Sequence, residues 1–358
     1  MLDPIRDWYQ RNFSDPQAVI LALLLFTAFA VIMLLGDILA PVLVALVFAY
    51  LLDGVVGAMQ RYHIPRPLAA AIVLLVFVFF CLLLLFGVLP LLSQQVTSLV
   101  RELPNMLGRG QELLARLPEL YPAIFTVEQI EELIGNVRNQ VGRVGQQVLS
   151  FSIASALNLF VLAIYVVLVP LIVFFALKDK HLLIAWARDF MPHKSQLAEK
   201  VWLEADTKIA NYIRGKFIEI LIVWLVTYIT FALMELNYAV LLSFLVGISV
   251  IIPFVGAVVV TLPIAIIGYF QWGFEARLGY LLVAYQIIQI LDGNVLVPLL
   301  FSEVVDLHPL AIIVSVLFFG GLWGIWGVFF AIPLAALVQA VLEAWPRQRH
   351  VGTADQAV

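Results

Sequence analysis

The chain reads as an all-α, polytopic transmembrane protein with re-entrant helical hairpins in its C-terminal half. Composition, hydropathy and the lengths of the apolar runs carry that reading. Of 358 residues, 63% are hydrophobic and only 12% are charged, against roughly 45–50% and about 25% in an ordinary soluble domain. Mean hydropathy is +1.05. The apolar residues gather in runs of about 20, the length a helix needs to cross a bilayer. In hydrocarbon every backbone polar group has to find its partner within the segment, so such runs are helices.

The segment before residue 17 is polar and lacks a signal-peptide pattern, so the first apolar run is expected to remain as an anchor. Runs cover 17–35, 38–56 and 68–92, with Gly36, Asp37 and Pro41 marking a turn between the first two. Residues 1–92 thus form an N-terminal cytoplasmic segment and three transmembrane helices. Residues 93–150 carry Arg and Glu throughout and form an extracytoplasmic amphipathic helical segment. In it, Thr126 and Gln129 have capping-box spacing. Ile130, Leu133, Ile134, Val137, Val141, Val144 and Val148 follow at steps of three and four, an amphipathic stripe. Residues 151–177 are a fourth transmembrane helix. Residues 178–216 are a cytoplasmic basic helical segment with its own stripe, Leu197, Val201, Ala205, Ile209 and Tyr212. Both stripes read first as packing faces. Residues 217–346 are a C-terminal transmembrane core with broken helices, and 347–358 are a cytoplasmic tail.

Orientation follows from the cations. Every lysine lies within 178–216, and Arg6, Arg11, Arg61, Arg66, Arg347 and Arg349 flank the runs. Placing these inside satisfies the positive-inside rule. Both termini are then cytoplasmic, in a bacterial inner membrane, and 93–150 is outside. After residue 237 several divisions into crossings satisfy the parity.

The candidate pathway lies where apolar helices are interrupted. Residues 238–270 are too long for one span and break at Pro253-Phe254-Val255-Gly256. Proline removes a backbone donor and glycine permits a sharp change of direction. Unwound backbone at membrane depth is tolerated where it is buried in protein or lines a cavity, and broken helices often end at a substrate site. Further on, Gln286, Gln289, Asp292 and Asn294 interrupt an apolar stretch that reaches Pro298. A carboxylate in lipid costs at least about 2.5–3.5 kcal/mol. Asp292 must therefore face protein, water or a cation, or cap the turn at Gly293-Asn294; both uses stay open. Glu303, His308 and Pro309 are weaker candidates for a gate or proton relay, or an interfacial loop. Arg214, Gly215 and Lys216 stand at the cytoplasmic entry to the fifth span, suited to anionic headgroups or to holding the amphipathic helix to the core. Glu219 and Glu235, near that span's two ends, read as snorkelling or loop residues, and Asp53 as interfacial.

No P-loop, dinucleotide-binding turn, zinc-protease or serine-hydrolase motif is present. The single cysteine, Cys81, allows no intrachain disulfide. The sequence therefore points to no enzyme, no cofactor, no metal site and no nucleic-acid partner. The bilayer and a small solute, with H⁺ or Na⁺ as coupling ion, are the partners expected. The leading function is a secondary transporter or permease exporting a small solute. Sodium or potassium–proton antiport, and a membrane scaffold or assembly factor, are the alternatives.

Several blocks resemble the autoinducer-2 exporter family, and within it the PerM-type permease branch. They are Trp8-Tyr9-Gln10-Arg11 with Phe13-Ser14-Asp15-Pro16; Asn211-Tyr212-Ile213-Arg214-Gly215-Lys216; Ile252-Pro253-Phe254-Val255-Gly256; and Leu291-Asp292-Gly293-Asn294-Val295-Leu296-Val297-Pro298. Leu307-His308-Pro309-Leu310, the Gly320–Gly327 glycine–tryptophan stretch and Ala331-Ile332-Pro333 complete the match. The resemblance implies intramembrane helical hairpins, homo-oligomers, pentamers among some members, and export of an autoinducer-2-like solute. In some relatives it also implies sodium–proton antiport. Two positions depart from the pattern: Asp292 stands where many relatives have Glu, and Ala257 where a second turn proline is usual.

Overall fold

The computed structural model describes residues 16–115, 117–120, 126–132, 134–140, 142–143, 159–189, 196–253, 255–301 and 307–344. Helices alone are regular among them: α1 (Pro16–Arg61), α2 (Arg66–Leu83), α3 (Leu89–Ala115), α4 (Leu159–Lys178), α5 (Lys180–Asp189), α6 (Gln196–Leu233), α7 (Ala239–Ser249), α8 (Val255–Trp272), α9 (Ala276–Leu291), α10 (Val297–Phe301) and α11 (Pro309–Ala344). Six helices are long and apolar enough to cross a membrane. The capping box forms as its spacing predicts, Thr126 N donating to Gln129 Oε1 and Gln129 N to Thr126 Oγ1, both at 3.3 Å.

The helix breaks follow local chemistry. α1 departs from helical geometry at Leu35 (φ −113°, ψ 15°), just before Gly36 and within reach of Pro41, which cannot donate to the carbonyl four residues back. Two π-turns occur, Leu84–Val88 joining α2 to α3 and Asp292–Leu296 joining α9 to α10. In each case a proline, Pro90 or Pro298, stands two residues past the turn. The missing proline N–H and its ring clash with the preceding turn favour local widening over a straight α-helix.

Two reversals organise the C-terminal half. α7, at 11 residues, is about 16 Å long and too short for a core of about 30 Å. It turns back after residues 250–253 into α8. Ser249 lies against Gly256 at one end, and the Gln271 side chain bonds the backbone of Glu235 and Asn237 at the other. α7 and α8 are therefore an antiparallel hairpin. The second reversal lies inside α11, at Gly324 (φ 60°, ψ −137°), a region open essentially to glycine alone. Beyond it Gly327 backs onto the Phe319 carbonyl, and Trp323 stacks on Phe330 at 6.1 Å.

Three apolar clusters hold the helices together. Ala45, Val56, Ala69, Val73, Val173 and Leu177 join α1, α2 and α4. Val223, Phe231, Leu242, Val246, Ile264 and Tyr285 join α6 to α7, α8 and α9. Val47, Tyr212, Ile213, Phe301 and Ile332 join α6 to α1, α10 and α11. In lipid, helix association rests on close packing rather than on escape from water, so small residues set the approach. Gly247 lets α7 close on Trp224 of α6, where a Cβ would sit 2.7 Å from the Trp224 Cβ. α6 is the central post, touching α1, α7, α9, α10 and α11.

At the basic end, Asp53 bridges Arg66 and Lys180 at 2.8 Å each, tying α1 to α2 and α5. Arg66 Nε also donates to the Leu177 carbonyl at 2.7 Å, capping the end of α4. Asp53 is thus a structural ion-pair centre, where the sequence suggested a simple interfacial residue.

Candidate functional site

The site is built where the α7–α8 turn meets α6. α6 carries Tyr212, Lys216 and Glu219 inward at steps of four and three, so all three share one face. Lys216 and Glu219 are 4% and 2% exposed. Lys216 Nζ lies 2.6 Å from Glu219 Oε2. It also donates to the Val250 carbonyl at 3.0 Å, a backbone group freed at the end of α7. The ammonium stands 5.3 Å from the centre of the Phe301 ring. A buried lysine is stable only when paired and hydrogen-bonded, and these three contacts supply that. Gly215 makes room for Phe301: a Cβ there would lie 2.7 Å from the ring.

Beside the pair is a cavity of about 560 Å³, bounded by α6, the α7–α8 turn, α9 and its π-turn. Asp292, Gln289 and Gly293 enter it from one side and Ile252 and Pro253 from the other. Asp292 Oδ1 and Gln289 Nε2 are buried and have no hydrogen-bond partner. Asp292 makes no capping bond to the turn that follows it. One unpartnered acceptor and one unpartnered amide donor therefore stand in the wall of a half-open cavity, beside an ion pair. A hydroxylated solute can donate to the first and accept from the second, and burial makes leaving either empty costly.

The structure thus brings together Gln289, Asp292 and Pro253 of the sequence-derived candidates, with Gly256 setting the turn. It does not bring the others. Asn294 is exposed and donates to the Ile290 carbonyl of its own helix at 2.9 Å. Pro298 is exposed and acts on backbone geometry rather than lining the cavity. His308 Nδ1 accepts from Leu310 N at 3.2 Å and Pro309 opens α11, so both serve that helix start. Glu303 lies outside the described residues. Arg214 Nε donates to the Tyr50 carbonyl at 3.2 Å. Of the two uses weighed for Arg214 and Lys216, holding helices together is the one their contacts display.

Glu219 is the functional candidate that sequence reasoning missed. Its three-residue spacing from Lys216 was visible, yet the start of an apolar run is where snorkelling charges are also found. Nothing local says that a hairpin returns to cover it. Tyr212 was read as part of a packing stripe. It is fully buried, donates to the Phe329 carbonyl at 3.2 Å and forms part of the cavity wall.

Comparison with known proteins follows this geometry. Residues 18–347 match the family model described as AI-2E family transporter. The chain is 47% identical over 346 residues to a protein of Escherichia coli (strain K12) that bears the permease name PerM, covering 97% of this chain and 98% of that one. It is 26% identical over 352 residues to the Bacillus subtilis (strain 168) transport-protein relative YueF, covering 92% of each. It is 25% identical over 309 residues to the AI-2 transport protein TqsA of Escherichia coli (strain K12), covering 86% of each. These matches overturn the antiport alternative, since the family is one of solute transporters and not of antiporters. The chain is a multi-pass membrane permease and belongs to the AI-2E transporter family.

Proposed function

We propose that this permease exports a small, neutral, hydroxylated solute of the AI-2 type from the cytoplasm, through the cavity between α6, the α7–α8 hairpin and α9. The observation that carries the reading is the pair of unsatisfied buried atoms, Asp292 Oδ1 and Gln289 Nε2, in two residues of that cavity's wall. Their complementarity is to a hydroxyl group, which both donates and accepts. Lys216 and Glu219 neutralise one another, so the cavity offers no spare cation to hold an anionic solute. Both hairpins then enter and leave the bilayer on one face, which lets broken backbone lie at membrane depth inside protein. H⁺ or Na⁺ would be the coupling ion, with Asp292 the group that senses it.

The test is efflux of AI-2 from proteoliposomes, with and without a proton or sodium gradient. Asp292→Asn and Gln289→Ala should fold and insert normally. Each should slow efflux by about tenfold or more, the equivalent of about 1.4 kcal/mol, as expected for loss of charge assistance to a hydrogen bond in the first and loss of the amide donor in the second. Unchanged efflux in both variants would remove this cavity from the pathway.

A further inference from the structure

A second cavity, of about 620 Å³, lies at the other end of the α7–α8 hairpin. It is separated from the first by the length of α7, about 16 Å. Between the two stands an apolar septum that includes Leu242, Val246, Ile264 and Phe231. The second cavity is polar, which is unexpected beside so apolar a helix pair.

Its polar residues divide into two groups. Gln95 and Gln271 are used by the fold. Gln95 Oε1 accepts from Leu241 N at 2.8 Å, at the start of α7. Gln271 donates to the Glu235 carbonyl at 2.7 Å and accepts from Asn237 N at 2.8 Å. These bonds hold a turn in which two non-glycine residues, Glu235 (φ 57°) and Tyr238 (φ 59°), are left-handed. Such conformations persist only where surrounding contacts fix them, so this wall is rigid. The other group has no structural use among the described residues. Gln94, Ser98, Arg109 and the Asn237 side chain make no hydrogen bond or ion pair among the described residues. Glu102 accepts only a 3.3 Å bond from Asn105 on its own helix.

We propose that this cavity is a second solute station, an extracytoplasmic vestibule that binds a neutral, polyhydroxylated small molecule. The reading rests on the transport function proposed above and adds a site to it. Amide and hydroxyl side chains can both donate and accept, as sugar-like hydroxyls require. Glu102 and Arg109 carry opposite charges, so an anion would meet the first and a cation the second. Tyr238 and Phe270 supply apolar ring faces for the carbon skeleton, the usual mixture in a small-molecule site. The hairpin thereby has a mainly apolar cavity at its tip and a polar one at its base, and passage between them requires it to move against α6.

The probe is D-ribose, with D-ribose 5-phosphate as the charged comparison. Ser98→Cys is made on a Cys81→Ser background, and its alkylation by a membrane-impermeant maleimide is timed in sealed vesicles. Saturating ribose should slow alkylation by about fivefold or more through simple occupancy. The phosphate should not, and Asn237→Ala should abolish the protection. AI-2 efflux is measured on the same vesicles. Equal alkylation rates with and without ribose, in protein that still effluxes AI-2, would overturn the vestibule and leave the transport reading standing. Equal slowing by ribose and its phosphate would overturn the neutral-solute assignment. Protection in protein without efflux would support the site and overturn transport.

Discussion

Removing the positive charge of Lys216 alone should be far more damaging than removing the whole ion pair. Lys216 and Glu219 are almost fully buried and 2.6 Å apart. Lys216→Met leaves Glu219 and Asp292 in one cavity with no cation, and breaking a buried pair in this way costs about 3–5 kcal/mol. Glu219→Leu leaves the ammonium with the Val250 carbonyl, the Phe301 ring and the Asp292 carboxylate across the cavity, so its cost should be somewhat smaller. In the double variant Lys216→Met/Glu219→Leu both charges are gone. What remains is the Val250 carbonyl without its donor, about 1–3 kcal/mol. The double variant should therefore be more stable than either single one, and the coupling between the sites should reach about 3 kcal/mol or more. Unfolding in mixed micelles, followed by tryptophan fluorescence, measures all four proteins. A double variant whose loss equals the sum of the single losses would refute the reasoning, because it would mean that the two charges do not see each other. Efflux from the double variant separates stability from function. If the pair only holds α6 to the hairpin tip, AI-2 efflux should survive better there than in Asp292→Asn.

Two further outcomes follow from packing and charge. Gly256→Ala and Gly327→Ala each drive a methyl group into a backbone carbonyl, of Ser249 and Phe319. Each should cost about 3 kcal/mol or more, seen as a lowered unfolding midpoint, while Gly321→Ala, with open space around it, should be neutral or stabilise by up to about 1 kcal/mol. Asp53→Asn removes the charge shared by Arg66 and Lys180 at the basic end. Since Lys180 is partly open to solvent, the loss should be about 1–2 kcal/mol and should shrink at high salt, as a salt titration of the midpoint would detect.

Much of the architecture was legible because a bilayer imposes a length and a backbone rule on every span. The apolar runs at 38–56 and 68–92 fall within helices long and apolar enough to cross, and 217–236 follows another such helix as far as Leu233. The break at 253–256 was readable because proline and glycine act locally, whatever surrounds them. Asp292 and Gln289 were readable as candidates because polar residues in an apolar run need a reason. The continuous helix from Gln196 to Leu233 was not, since the change from a charged to an apolar stretch at residue 217 marks a change of solvent rather than an end of the helix. Asn294 and His308 illustrate the opposite error. Their side chains satisfy backbone groups a few residues away, a use that chemistry alone does not distinguish from ligand contact.

The sequence by itself determined that this is a membrane-embedded bundle of helices, and which short stretches could not be ordinary helix. Those follow from local chemistry: hydropathy, missing proline donors and glycine freedom. Only the tertiary structure decided that Lys216 and Glu219 are core residues rather than headgroup contacts. That depends on α7 returning its freed Val250 carbonyl to α6, from 34 residues along the chain. It also placed one cavity at each end of the same hairpin, because which faces meet is set by close packing around Gly247, Gly256 and Gly215, and no local pattern encodes that meeting.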